Sequence, residues 1–179
     1  MIYGLIWWLI AQILGWVALP VIYRLFRWLP DRGYSFAKAT GLLLASYLLW
    51  IGASTGFLRN DAGGILFAIA LAASISIGLY WRNAQAEGPS LFTFLRGQKA
   101  LVFTSEILFT LAFAVWVILR AYAPDKIMNT GGEKFMEIAF LNGVLNSAHF
   151  PPLDPWLSGF SISYYYFGYL MMALVTRLS

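Results

Sequence analysis

The sequence predicts an all-α, polytopic transmembrane protein, and three observations carry that prediction. Hydrophobic residues make up 60% of the 179 and charged residues only 11%, whereas a soluble domain carries about a quarter charged residues. The apolar residues gather in five stretches near the ~20 residues that a helix needs to cross a bilayer. The twelve Lys and Arg sit at the ends of these stretches, not in a stripe or run. So few charges cannot cover a water-facing surface, which excludes a soluble enzyme and a disordered tail. Their scatter excludes nucleic acid as a partner despite the net charge of +4. With no cysteine, disulfides, thiolate metal sites and cysteine nucleophiles are excluded too.

The first span is expected over residues 5–26, with Pro20 as a kink. It lacks a basic leading region and a small-residue cleavage site, so it is expected to remain as a helix. The second and third spans are expected over 37–58 and 63–81, the fourth over 100–119. The fifth is expected to begin near Ser161, with Arg177 marking its exit. Residues 1–99 form a three-span region and 100–179 a second one built around the long connection.

Loop charges set the orientation. The first connection holds Arg24, Arg27, Arg32 and Lys38 against Asp31, and the third holds Arg82, Arg96 and Lys99 against Glu87. The segment 120–160 carries Arg120, Lys126 and Lys134 against Asp125, Glu133, Glu137 and Asp154. The positive-inside rule puts the first two in the cytoplasm, and the N-terminus and 120–160 outside a cell membrane.

That outer segment, about 40 residues, far exceeds an ordinary helix connection of roughly 2–8 and is expected to be functional. Thr130 and Glu133 have capping-box spacing, so a helix is expected to start near Gly131. It is apolar nearly all round, so it should lie in the membrane interface or pack under other protein. Three prolines within 151–155 hold the following stretch extended, presenting Asp154 and Trp156, and Gly159 permits a turn. Tyr164, Tyr165 and Tyr166 open the last span; as a helix they cover about 200° and cannot share one face.

The runs Gly-Gly-Glu-Lys-Phe-Met-Glu (131–137), Phe-Leu-Asn (140–142), Phe-Pro-Pro-Leu-Asp-Pro-Trp (150–156) and Tyr-Tyr-Tyr-Phe-Gly (164–168) resemble the YYY-domain family of uncharacterised polytopic membrane proteins of bacteria and archaea. Residues 31–38 and 105–109 look familial as well; Phe135 stands where the family has proline. That family in turn resembles the GT-C superfamily of polyprenyl-phosphate-sugar glycosyltransferases, in which a span leads into an outer loop with two acidic residues. Glu133 and Asp154 occupy those places here. Both groups are larger proteins, so the chain is expected to be the N-terminal part of a longer one.

The resemblance implies transfer of a sugar from a polyprenyl-phosphate donor on the outer face, with Glu133 and Asp154 as catalytic residues. Glu133 would take the acceptor's proton or, with Asp154, hold Mg²⁺ or Mn²⁺ against phosphate. Against this stand a helix-capping role for Glu133 and a turn role for Asp154. Arg120, Lys134, His149, Trp156, Tyr164, Tyr165 and Tyr166 are the candidate substrate-binding residues. The tyrosines equally suit an aromatic belt at the membrane boundary, His149 a structural place in the interface, and Arg120 a snorkelling one. Glu137 reads as a partner of Lys134. Glu106, about six residues inside the fourth span, is an intramembrane ionisable group and a functional candidate. With no Lys or Arg deep in another span, it is expected to be protonated, to bond Ser, Tyr or Gln12, or to pair with a helix of the longer protein. The other function class is a non-catalytic subunit whose outer loop docks a partner in a larger membrane complex.

Overall fold

The computed structural model describes residues 2–82, 89–122 and 133–179, and their architecture is all-α. Four helices are long and apolar enough to cross a membrane: α1 (Ile2–Leu25), α2 (Ala37–Ser54, led in by a 3₁₀ turn at Tyr34–Phe36), α3 (Ala62–Arg82), and the helix Lys99–Tyr122. Ahead of that last span lies a short helix, α4 (Leu91–Gly97), which makes Lys99–Tyr122 α5. Two shorter helices follow, α6 (Lys134–Asn146) and α7 (Phe167–Arg177).

Helices α1, α2 and α3 pack on one another around Leu14, Leu49, Ala53, Ile65 and Ala68. Small residues set the spacing: a Cβ on Gly41 would lie 2.0 Å from the Leu14 carbonyl oxygen, so only glycine permits that α1–α2 approach. Pro20 does not end α1. Its ring removes one donor and crowds the ladder, and the next N–H, that of Val21, donates to Ser76 Oγ on α3 at 3.1 Å. Ser76 is thus fully buried and satisfied.

The bundle has two ends. At one, Tyr23 at the foot of α1 packs on Tyr80 of α3 and Phe94 of α4, with centroids 6.3 and 5.4 Å apart, and its hydroxyl donates to the Pro89 carbonyl at 2.5 Å. Helix α4 falls within the third connection, where no helix is expected from the sequence. Its Ser90 cap and the burial of Leu91 and Phe94 explain why it forms. At the other end, Asn60, between α2 and α3, is only 4% exposed; its amide donates to the carbonyls of Val144 (2.7 Å) and Ser147 (3.0 Å). The two connections expected on one membrane side meet at one end. The α2–α3 link and the segment after α5 meet at the other.

Two expectations need correction. Helix α6 begins at Lys134 with Glu133 as its cap residue, and Glu133 makes no capping hydrogen bond; Thr130, Gly131 and Gly132 lie outside the described residues. The tyrosine triplet precedes α7 and is not wound into it, so the helical-face argument does not apply. The expected fifth span corresponds to α7, a shorter apolar helix of 11 residues. Phe167 meets Trp50 edge-on at 6.1 Å, and the Arg177 guanidinium donates to the Leu145 carbonyl of α6. Both ends of α7 are therefore tied to other helices, the first to α2 and the last to α6.

Candidate functional site

Helix α6 builds the site. Glu133, Glu137 and Phe140 follow one another at i, i+4 and i+7, so they share a stripe. Phe140 is buried, and three aromatic rings surround it: Trp156 edge-on at 5.3 Å, Tyr164 stacked at 5.5 Å, and Tyr169 edge-on at 5.8 Å. Burial raises the Tyr169 hydroxyl above its usual range, and the charges of Glu137 and Glu133, with Tyr164 beside it, add to the rise. The carboxylates thus act electrostatically on the aromatic cluster.

Asp154 sits in a small turn closed by the bridge between Leu153 and Ser161. Its Oδ1 accepts from the N–H groups of Trp156 (2.8 Å) and Leu157 (3.0 Å), and its own N–H donates to the Phe160 carbonyl at 2.9 Å. The turn role holds, and it is what aims Trp156 at Phe140. Gly159, in the left-handed region at φ 86°, completes the turn. Asp154 Oδ2 takes no part in these bonds.

The other candidates separate. Lys134 pairs with Glu137 at 2.8 Å, so that lysine is engaged within its own helix. His149 is exposed just before the buried Phe150. Tyr164 turns to Phe140, Tyr165 is 87% exposed, and Tyr166 accepts a hydrogen bond from Trp50 Nε1 at 2.8 Å. Together with Tyr47, Trp50 and Leu43 the triplet lines a cavity of about 470 Å³. Arg120 stands apart, in a groove of about 640 Å³ between α1, α5 and α7, beside Trp7, Phe113 and Thr176. Among the described residues no group of three or more His, Cys, Asp or Glu is gathered for a metal ion.

Glu106 has more partners than the sequence showed. Its Oε1 accepts from Lys38 Nζ at 2.5 Å and Tyr34 Oη at 2.9 Å, and its Oε2 from Gln12 Nε2 at 3.0 Å. The expected Gln12 and tyrosine bonds are present, and the expectation that no basic residue reaches it is wrong. Lys38 starts α2 near the bundle end, but its long stem runs inward across α1 at Gly15, where a Cβ would come within 2.9 Å of Lys38 Cγ. With Trp8 donating to Thr110 at 3.2 Å, this polar cluster fastens α5, which buries no residue of its own.

Phe140, Tyr169, Trp50, Tyr47 and Lys38 are the residues that sequence reasoning missed. The one readable signal was the position of Phe140 on the stripe of Glu133 and Glu137. A family model described as an uncharacterized membrane protein (DUF2298) matches residues 44–179, most of the chain. No curated protein and no solved structure matches it. The chain, with α3, α5 and the tyrosine-bearing segment inside the matched region, belongs to this DUF2298 family of uncharacterized membrane proteins.

Proposed function

We propose that the chain forms part of a membrane glycosyltransferase that moves a sugar from a polyprenyl-phosphate donor on the extracytoplasmic face. One observation carries this reading: the acidic stripe of α6 meets the rings of Phe140, Trp156, Tyr164 and Tyr169 at one end of an apolar bundle. Aromatic faces take the C–H side of a sugar ring, and the Tyr169 hydroxyl supplies a donor. The Glu133 carboxylate takes the proton of the acceptor hydroxyl. The acceptor oxygen bonds the sugar's anomeric carbon as the bond to phosphate breaks, and the polyprenyl phosphate leaves with the electron pair. Arg120 lies outside this cluster, and the apolar groove it lines suits the chain of a lipid. Glu133 and Asp154 Oδ2 are hard oxygen donors of the kind Mg²⁺ or Mn²⁺ accepts; bound there with donor phosphate oxygens, the ion would offset the phosphate charge.

The test uses the full-length protein in native membranes. Glu133→Gln is expected to lower glycan transfer about 10²- to 10⁴-fold while labelled donor still binds, and Asp154→Asn to lower it as well. Unchanged transfer in both variants would overturn the proposal. A second reading, a docking subunit in a larger membrane complex, is favoured by α5, an apolar span with no buried residue. Stable co-purification with a larger complex, with function intact after both substitutions, would establish it instead.

A further inference from the structure

The opposite end of the bundle carries an unassigned charged surface. Six basic residues gather there: Arg24 and Arg27 at the foot of α1, Arg32 in the following turn, Arg82 closing α3, Arg96 in α4 and Lys99 opening α5. The packing of Tyr23 on Tyr80 and Phe94 brings the ends of α1, α3 and α4 together. The Ser35–Ser105 contact (3.4 Å) adds α5. Arg24 lies over the Tyr80 ring and Arg32 over the Tyr23 ring, each at 4.7 Å, so these two brace the fold.

Arg27, Arg82, Arg96 and Lys99 are all exposed, and none pairs with an acid among the described residues. The described acid at this end, Asp31, is turned onto the backbone N–H groups of Gly33 (3.0 Å) and Ser35 (3.1 Å). Trp28 and Trp81 adjoin Arg27 and Arg82 in sequence and Phe92 shares α4 with Arg96; the three are exposed by 68, 69 and 71%. Large aromatics at span ends mark the depth of lipid headgroups, so these four cations lie at phosphate level.

We infer that this face binds the headgroups of anionic phospholipids in preference to zwitterionic ones, through Arg27, Arg82, Arg96 and Lys99. The inference is independent of the proposed sugar transfer. It is tested on the full chain, purified in detergent and titrated with phosphatidylglycerol or phosphatidylcholine, by native mass spectrometry and thermal unfolding. Phosphatidylglycerol is expected to bind more tightly and to raise the unfolding temperature further, by an amount that shrinks with added salt. Changing all four cations to Gln should abolish the preference, at about five-fold in affinity per cation, and leave phosphatidylcholine binding as it was. A variant with the three arginines changed to Lys should keep it, which separates lost charge from lost fold. Equal binding of the two lipids, a preference that survives in the Gln variant, or full reproduction of the effect by inorganic phosphate would each overturn the inference.

Discussion

Lys38 and Glu106 show what a single residue pair does inside an apolar bundle. The side chains are 16% and 28% exposed, so water reaches the pair only in part. Removing one partner strands the other charge, whereas removing both leaves a smaller polar cluster. Lys38→Met is therefore expected to destabilise the protein by about 2–3 kcal/mol, below the ~3–5 of a fully buried pair. Lys38→Met with Glu106→Gln should cost less than Lys38→Met alone. A double-mutant cycle of unfolding in detergent checks this, and additive losses would refute a coupled pair. Glu106 was legible in the sequence because a carboxylate within a span stands out. Lys38 was not, since its Cα sits at a helix start and only its stem, laid across Gly15, takes the ammonium inward.

At the scale of elements, the turn joining α1 to α2 hangs on Asp31. Burial pushes its carboxyl up, but the N–H groups of Ser35 and Gly33 and the Ser35 hydroxyl outweigh that and hold it below the ordinary range. A carboxyl lowered in the folded state stabilises above its unfolded value, about 3.9, and loses that contribution as the pH falls through the folded value. Hydrogen exchange in residues 32–36 is expected to rise below about pH 4, and Asp31→Asn should raise it already at neutral pH. An Asn variant as protected as the parent would contradict the capping role. Helix lengths were readable where composition alone decides them, as in α1, α3 and α5. The short ones were not. Helix α4 forms because Leu91 and Phe94 have Tyr23 to bury against.

For the whole molecule, the loop charges predict which end of the bundle faces the cytoplasm. The absence of cysteine makes it directly measurable with single introduced thiols. Arg59→Cys and Leu157→Cys are expected to react with a membrane-impermeant maleimide in intact cells, and Trp28→Cys only after lysis. Labelling of Trp28→Cys alone would invert the orientation. Protection differing between Arg59→Cys and Leu157→Cys would contradict the contacts of Asn60 with Val144 and Ser147. Sequence by itself determined that this chain is helical and membrane-spanning, since 11% charge and runs of some twenty apolar residues leave no other way to satisfy its backbone. It also marked Glu106, Glu133, Asp154 and the tyrosines, because polar and aromatic groups are conspicuous against such a background. Only the tertiary structure decided which of them meet: Glu106 with Lys38, Tyr166 with Trp50, and Trp156 and Tyr164 on Phe140. These pairings join residues far apart along the chain, and they follow from helix packing and turn geometry, which no local pattern encodes.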